Sequence, residues 1–204
     1  MNFLKFLGVT VLLIPVALPA GSQKDVTYNF RKTRWGMTRK EVRISEGKRK
    51  PVLDPTEKEI CYVDTISGKT FLVAYSFVDN KLVSGAYALM EKHTNYNMYV
   101  EDYEEVKELL IKKYGKPEDK WFDGNDYREM LWRNDLYKDD PDHWGLAISM
   151  GDLVFRLCWK TSDTDIMLQL AGDNFKVRLN VGYFSRNLEN LQEKAKEKET
   201  KNKF

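Results

Sequence analysis

The residues of this chain that could do chemistry are few and scattered. His93 and His143 stand singly in loop-like stretches, with no His-x3-His or Glu-x-x-His spacing around either. Metal binding or general-base catalysis needs converging partners, so both read as solvated loop side chains. The chain has no Gly-x-Ser-x-Gly elbow, no P-loop, no Gly-x-Gly-x-x-Gly and no Cys-x-x-Cys. Among 31 acidic residues some carboxylate pair must always lie close, but none is singled out. Two acidic runs, Asp123-Gly124-Asn125-Asp126 and Asp135 with Asp139, Asp140 and Asp142, offer hard oxygen ligands of the kind calcium takes. Neither has the Asp-x-Asp-x-Asp-Gly spacing with a distal Glu, so solvated loop acids are the expectation. No catalytic residue, metal ligand or cofactor is assigned.

The two cysteines read differently according to compartment. Lys5 followed by the apolar run Phe6–Leu18 and the small residues Ala20, Gly21 and Ser22 has the form of a secretory signal, expected over residues 1–22. At about 15 residues with two prolines, the apolar run is short of the ~20 needed to span a bilayer. An exported protein, periplasmic or extracellular, is therefore expected. Cys61 and Cys158 both sit in strand-like segments, and Cys158 alternates onto the more polar face with Val154, Arg156 and Lys160. In an oxidising compartment a solvent-facing thiol is a liability, so a Cys61–Cys158 disulfide is the expectation. The alternative is two unpaired cysteines acting as small buried hydrophobes.

The elements that would position these groups follow from periodicity. Thr38-Arg39-Lys40-Glu41 is a capping box opening a short helix that Gly47 ends. Thr70–Val78 and Lys81–Met90 flank Asp79-Asn80 as a hairpin, and the first of them, apolar on both faces, reads as a central strand. Tyr103, Val106, Leu110 and Tyr114 recur at helical spacing, predicting a helix over 100–114 that Gly115 and Pro117 stop. Strands are predicted near 128–133, 144–150, 153–161, 165–171 and 175–184. In the last, Phe175, Val177, Leu179, Val181 and Tyr183 point inward. The fold class is α+β: two helix-plus-antiparallel-sheet modules, α-βββ-α-βββββ, over 23–98 and 99–185, with a charged helical or disordered tail over 186–204. Thr38-x-x-Glu41-Val42 is echoed 64 residues later by Asp102-x-x-Glu105-Val106, which suggests a duplicated unit.

Composition excludes several classes. The 26 aromatic residues among 204 suffice for a sizeable core, against disorder. Two cysteines exclude a disulfide scaffold, and one apolar run excludes a polytopic membrane protein. A net charge of +2 is low for a nucleic-acid binder. Charge is unevenly placed: residues 24–50 carry a net +7 and residues 91–142 a net −6. The two stretches are expected to complement each other within the fold, with docking of 31–50 on an acidic partner or an anionic envelope surface as the alternative.

The run Phe30-Arg31-x-Thr33-Arg34-Trp35-Gly36-Met37-Thr38-x-x-Glu41-Val42 resembles the opening of secreted bacterial proteins that begin WGM(S/T)xxEV. Tyr75-x-Phe77-x3-Lys81-Leu82 and Tyr103-x-x-Val106-x3-Leu110-x3-Tyr114-Gly115-Lys116-Pro117 match the same pattern. More distantly, the Gly-Met-Thr-x-x-x-Val helix start and closing Gly-Lys-Pro look like β-lactamase-inhibitor-protein and SmpA/OmlA-type modules. That resemblance implies compact α/β units that bind proteins in the cell envelope and have no catalytic centre. The chain departs from the lipid-anchored SmpA/OmlA type in having no Cys before Cys61.

The function expected is thus a non-enzymatic protein-binding or envelope-accessory role with an envelope or extracellular protein as partner. Candidate binding residues are Arg156, Lys160, Lys176 and Arg178, projecting from the wet face of the second sheet, together with Arg34 and Trp35. One alternative is a small-ligand carrier with a Trp- and Tyr-lined cavity between the halves. Another is a hydrolase using acidic residues the sequence does not identify.

Overall fold

Thr38 does what its spacing to Glu41 predicts. Its hydroxyl accepts the Glu41 N–H at 3.3 Å, and the Glu41 carboxylate accepts the Thr38 N–H at 2.7 Å, capping helix α1 (Arg39–Ser45). In the computed structural model, which describes residues 27–56, 58–118, 129–191 and 193–194, there follow β1 (Leu53–Thr56), β2 (Glu59–Ile66), β3 (Lys69–Val78) and β4 (Lys81–Leu89). Helix α2 (Asn97–Tyr114) leads to β5 (Met130–Trp132) and α3 (Trp144–Met150), then β6 (Leu153–Lys160), β7 (Thr164–Asp173) and β8 (Lys176–Ser185). The expected signal segment and the acidic run 123–126 lie outside the described residues, as does most of the charged tail.

All eight strands form one antiparallel sheet in the order β1-β2-β3-β4-β8-β7-β6-β5. The α+β class is as expected. β1 to β4 and β5 to β8 are each a meander, and they join where β4 pairs with β8. The β3–β4 turn uses Asp79 and Asn80 at φ +48° and +57°, the pair of left-handed residues that a tight hairpin needs. Edge strands β1 and β5 have four and three residues, which limits pairing with other chains.

Register assigns the faces. Ile60 and Tyr62, Val73 and Tyr75, Tyr87, Val181 and Tyr183, Ile166 and Leu168, and Leu157 and Trp159 all fall on one face, where the helices cover them. Val42 of α1, Tyr103 and Leu110 of α2 and Ile148 of α3 join the same buried cluster. The N-terminal segment closes it: Phe30 packs against Tyr75, Tyr87 and Tyr183 at ring separations of 5.0–5.2 Å.

Several expectations are corrected. Residues 144–150 are helix α3, not a strand. Alternation of Trp144, Leu146, Ile148 and Met150 mimics a strand in a run too short to settle the period. Asn97 fixes the helix start by accepting the Gly145 N–H at 2.7 Å and donating to the Asp142 carbonyl at 2.7 Å, while Gly151 at φ +89° ends it. The strand count becomes four and four, since β1 was not foreseen.

Asp102 does not cap a helix; α2 starts five residues earlier, and Asp102 is buried within it. The echo of Thr38-x-x-Glu41 is therefore not a second capping box. Phe175 is exposed in the β7–β8 turn at φ +60°, while Leu179, Val181 and Tyr183 are buried as predicted.

A further correction concerns the cysteines, which both remain thiols. β2 and β6 stand second and seventh in the sheet, about 24 Å apart at ~4.8 Å per strand. A disulfide needs Cα atoms within about 7 Å. Both thiols are buried, and burial pushes both up from the ordinary thiol range.

Candidate functional site

The face of the sheet opposite the helices carries the predicted cations. Alternation along β6 and β8 puts Arg156, Lys160, Lys176 and Arg178 there, and the cross-strand pairs spread them along β7, with Lys176 and Arg178 towards the β7–β8 turn and Lys160 at the opposite end. Arg156 faces Gln169, which faces Asn180 in turn; Arg178 faces Ala171 and Lys160 faces Asp165. At the β7–β8 end Lys176 and Arg178 border a hollow of about 380 Å³ that Gln169, Ala171, Asp173 and Asn180 also line. Two carboxylates share this face, Asp173 opposite Lys176 and Asp165 opposite Lys160; Asp165 is the more buried case. Burial pushes its carboxyl up, ahead of the opposing pull of Arg186 and Lys160. Its Oδ1 finds no hydrogen bond, with Arg186 Nε at 3.6 Å.

Beside this charged half lies an uncharged one that the sequence did not single out. Leu72, Ala74 and Ser76 of β3 and Ser84, Ala86 and Ala88 of β4 share the open face, half-buried and without a charge among them. One row crosses the sheet as Cys61, Ala74, Ala86, Gly182, Met167 and Cys158, mostly small side chains. The face is thus neutral over β3–β4 and charged over β6–β8, where four cations stand with two carboxylates.

Arg34 and Trp35 are not part of it. Trp35 packs against the core on the helix side and donates its indole N–H to Thr164 Oγ1 at 2.9 Å. Arg34 is exposed in the same N-terminal segment. The other described tryptophans are likewise structural. Trp159 is buried and donates to the Gly115 carbonyl at 2.9 Å, while Trp132 and Trp144 pack against the core.

Among the described residues, two of the charged networks on the helix side tie strands to helices. Arg31 Nε lies 2.8 Å from Glu46 Oε1 and its Nη2 2.7 Å from Asp64 Oδ2; Arg49 Nη1 reaches Asp64 at 2.8 Å. The Tyr75 hydroxyl donates to Glu46 Oε1, and the Glu46 side chain is only 5% exposed. Two basic residues of the 31–50 stretch are therefore neutralised by Glu46 within it and by Asp64, rather than by residues 91–142.

The second network was missed. His93 is not a solvated loop side chain: its Nε2 lies 2.6 Å from Asp102 Oδ2, and its ring meets the edge of Tyr99. Lys69 Nζ is 2.7 Å from the other Asp102 oxygen and 2.9 Å from Glu105. Asp102 thus spends both oxygens tying β3 and the β4–α2 connection to α2 as a latch. His143 pairs with Asp140 at 2.7 Å, half exposed. Among the described residues, no three His, Cys, Asp or Glu side chains are grouped to hold a metal ion. No described helix is long and apolar enough to cross a membrane.

A separate groove of about 180 Å³ opens on the helix side between α2 and the β2–β3 hairpin. Ile66, Phe71, Tyr87, Val106, Leu110 and Tyr183 wall it, and Lys69, Leu109 and Lys113 also border it. No family model matches the chain, and no curated protein or solved structure shows significant similarity to it.

Proposed function

We propose that the chain is an exported, non-enzymatic binding protein that docks an acidic protein of the cell envelope or exterior on the open face of its sheet. The observation that carries this reading is the division of that face. A half-open sheet surface normally alternates to charged side chains that keep it solvated. Here Leu72, Ala74, Ser76, Ser84, Ala86 and Ala88 leave a neutral stretch, and Arg156, Lys160, Lys176 and Arg178 are spread along the β6–β8 side of the same face. Protein interfaces have this make-up, an uncharged centre with a polar rim that sets orientation and choice of partner. The resemblance of the 30–117 stretch to secreted proteins and envelope-binding modules supports the same reading.

Cross-linking in intact cells, followed by affinity capture and mass identification, tests it. One dominant partner is expected, lost when Arg156→Glu and Arg178→Glu are combined and when Ala86→Arg puts a charge into the neutral stretch. Repeated capture without a protein partner, or a partner that survives both changes in folded variants, would sink the proposal.

A further inference from the structure

We propose that the groove between α2 and the β2–β3 hairpin is a second site, binding a small apolar carboxylate about the size of phenylpropionate. The groove follows from how the helices are shared out. α2, with 18 residues, packs on β7, β8 and α3, whereas α1 has only seven residues. The ends of β2 and β3 next to α2 are left with a gap above Phe71 and Tyr87 that no helix fills.

Size and lining select the ligand. About 180 Å³ is slightly more than the ~150 Å³ that holds a benzene ring in a dry apolar cavity. It is far too small for the apolar face of a partner helix. The walls are aliphatic and aromatic. The Tyr183 and Tyr87 hydroxyls have Tyr114 and Arg31, respectively, as neighbours. An isolated charge inside would be costly to desolvate, so the ligand body must be apolar and its polar end must stay at the lip.

The lip is cationic. Lys69 is held in place by Asp102 and Glu105, so its charge is largely answered. Lys113 instead rests its ammonium 4.9 Å from the Tyr114 ring centre, on the border of the groove. A carboxylate leaving the groove meets that ammonium, which distinguishes an acid from an alcohol of the same shape. Leu109, 43% exposed on the preceding turn, offers apolar surface where the ligand enters.

Titration calorimetry of the full chain with 3-phenylpropionate and with its neutral analogue 3-phenylpropan-1-ol tests the proposal, with nuclear magnetic resonance shifts locating the site. The acid is expected to bind saturably at one site with Kd of order 0.1–1 mM, roughly tenfold tighter than the alcohol. Lys113→Glu should remove the acid's advantage, and Leu109→Trp, filling the mouth from an exposed position, should weaken both ligands with the melting temperature unchanged. Neither change touches the open sheet face, so protein capture should survive both. The site would be overturned by non-saturable binding of the acid, by equal binding of acid and alcohol, or by shifts mapping away from α2 and the β2–β3 hairpin.

Discussion

Arg31 shows how much one side chain can hold in place. Its guanidinium lies between Glu46, at the end of α1, and Asp64 of β2, with the Tyr75 hydroxyl closing the network from β3. Replacing it by Met leaves the nearly buried Glu46 without its closest cation. A loss of about 3 kcal/mol in urea unfolding is expected. The network also sets an acid limit. Burial alone would push the Asp64 carboxyl up, but hydrogen bonds from Arg31 and Arg49 outweigh it and hold the group below the usual carboxylate range. A depressed carboxylate adds stability above its unfolded value, near pH 4, and loses it as pH falls through the folded value. Asp64→Asn should therefore destabilise at neutral pH and flatten the acid limb of the stability profile below about pH 4. Asp165 behaves with the opposite sign. Its raised carboxyl costs stability progressively as pH climbs above the usual range. Asp165→Asn should raise the melting temperature at neutral pH, with the gain fading below about pH 4. A melt at pH 7 showing no gain would mean that Arg186 and Lys160 answer the charge fully.

At the scale of elements, the contacts that matter most are the ones that bring distant segments together. Phe30 lies so close to β4 that a Cβ on Gly85 would stand 2.2 Å from its ring. Gly85→Ala should therefore displace the N-terminal segment and cost about 2–3 kcal/mol. Removing the α1 cap by Thr38→Ala should cost about 1 kcal/mol. Chemical denaturation of the two variants checks both figures, and equal losses would mean that Phe30 finds another seat. The same contrast explains what was legible in the sequence. The Thr38 cap, the Asp79-Asn80 turn and the helical spacing of Tyr103, Val106 and Leu110 are signals within a few residues, and all three were readable. The 144–150 segment was misread because its helical form is imposed by Asn97, 48 positions away from Gly145. The latch of His93 with Asp102 and Lys69 was invisible for the same reason. Of the candidate face, alternation revealed the four cations. It could not reveal the neutral half, because only the pairing of β4 with β8 sets Ala86 and Ala88 beside Gly182 and Asn180.

For the whole molecule, the decisive feature is that its strand order reads the same from either edge. Each half supplies a four-stranded meander preceded by a helix, and the halves meet at β4 and β8. Cys61 and Cys158 occupy matching places, each on the second strand from its edge and both on the row through Ala86 and Gly182. The second half differs in carrying the additional helix α3 between β5 and β6. The halves are nonetheless not independent. Phe30 of the first packs on Tyr183 of the second, Trp35 donates to Thr164, and Tyr87 meets Tyr183 at 6.0 Å. Separating the halves would expose those aromatic surfaces and leave β4 and β8 as open edges. Fragments 1–96 and 97–204, made separately, should therefore lack a cooperative thermal transition. Mixed in equal amounts, they should recover it together with the near-ultraviolet signal of packed aromatic rings. The thiols give a second readout: both should resist a thiol reagent in the intact chain and react in the isolated fragments. A cooperative melt from either fragment alone would show that the unit can close its own core, and that the β4–β8 junction is an interface between modules rather than the centre of one.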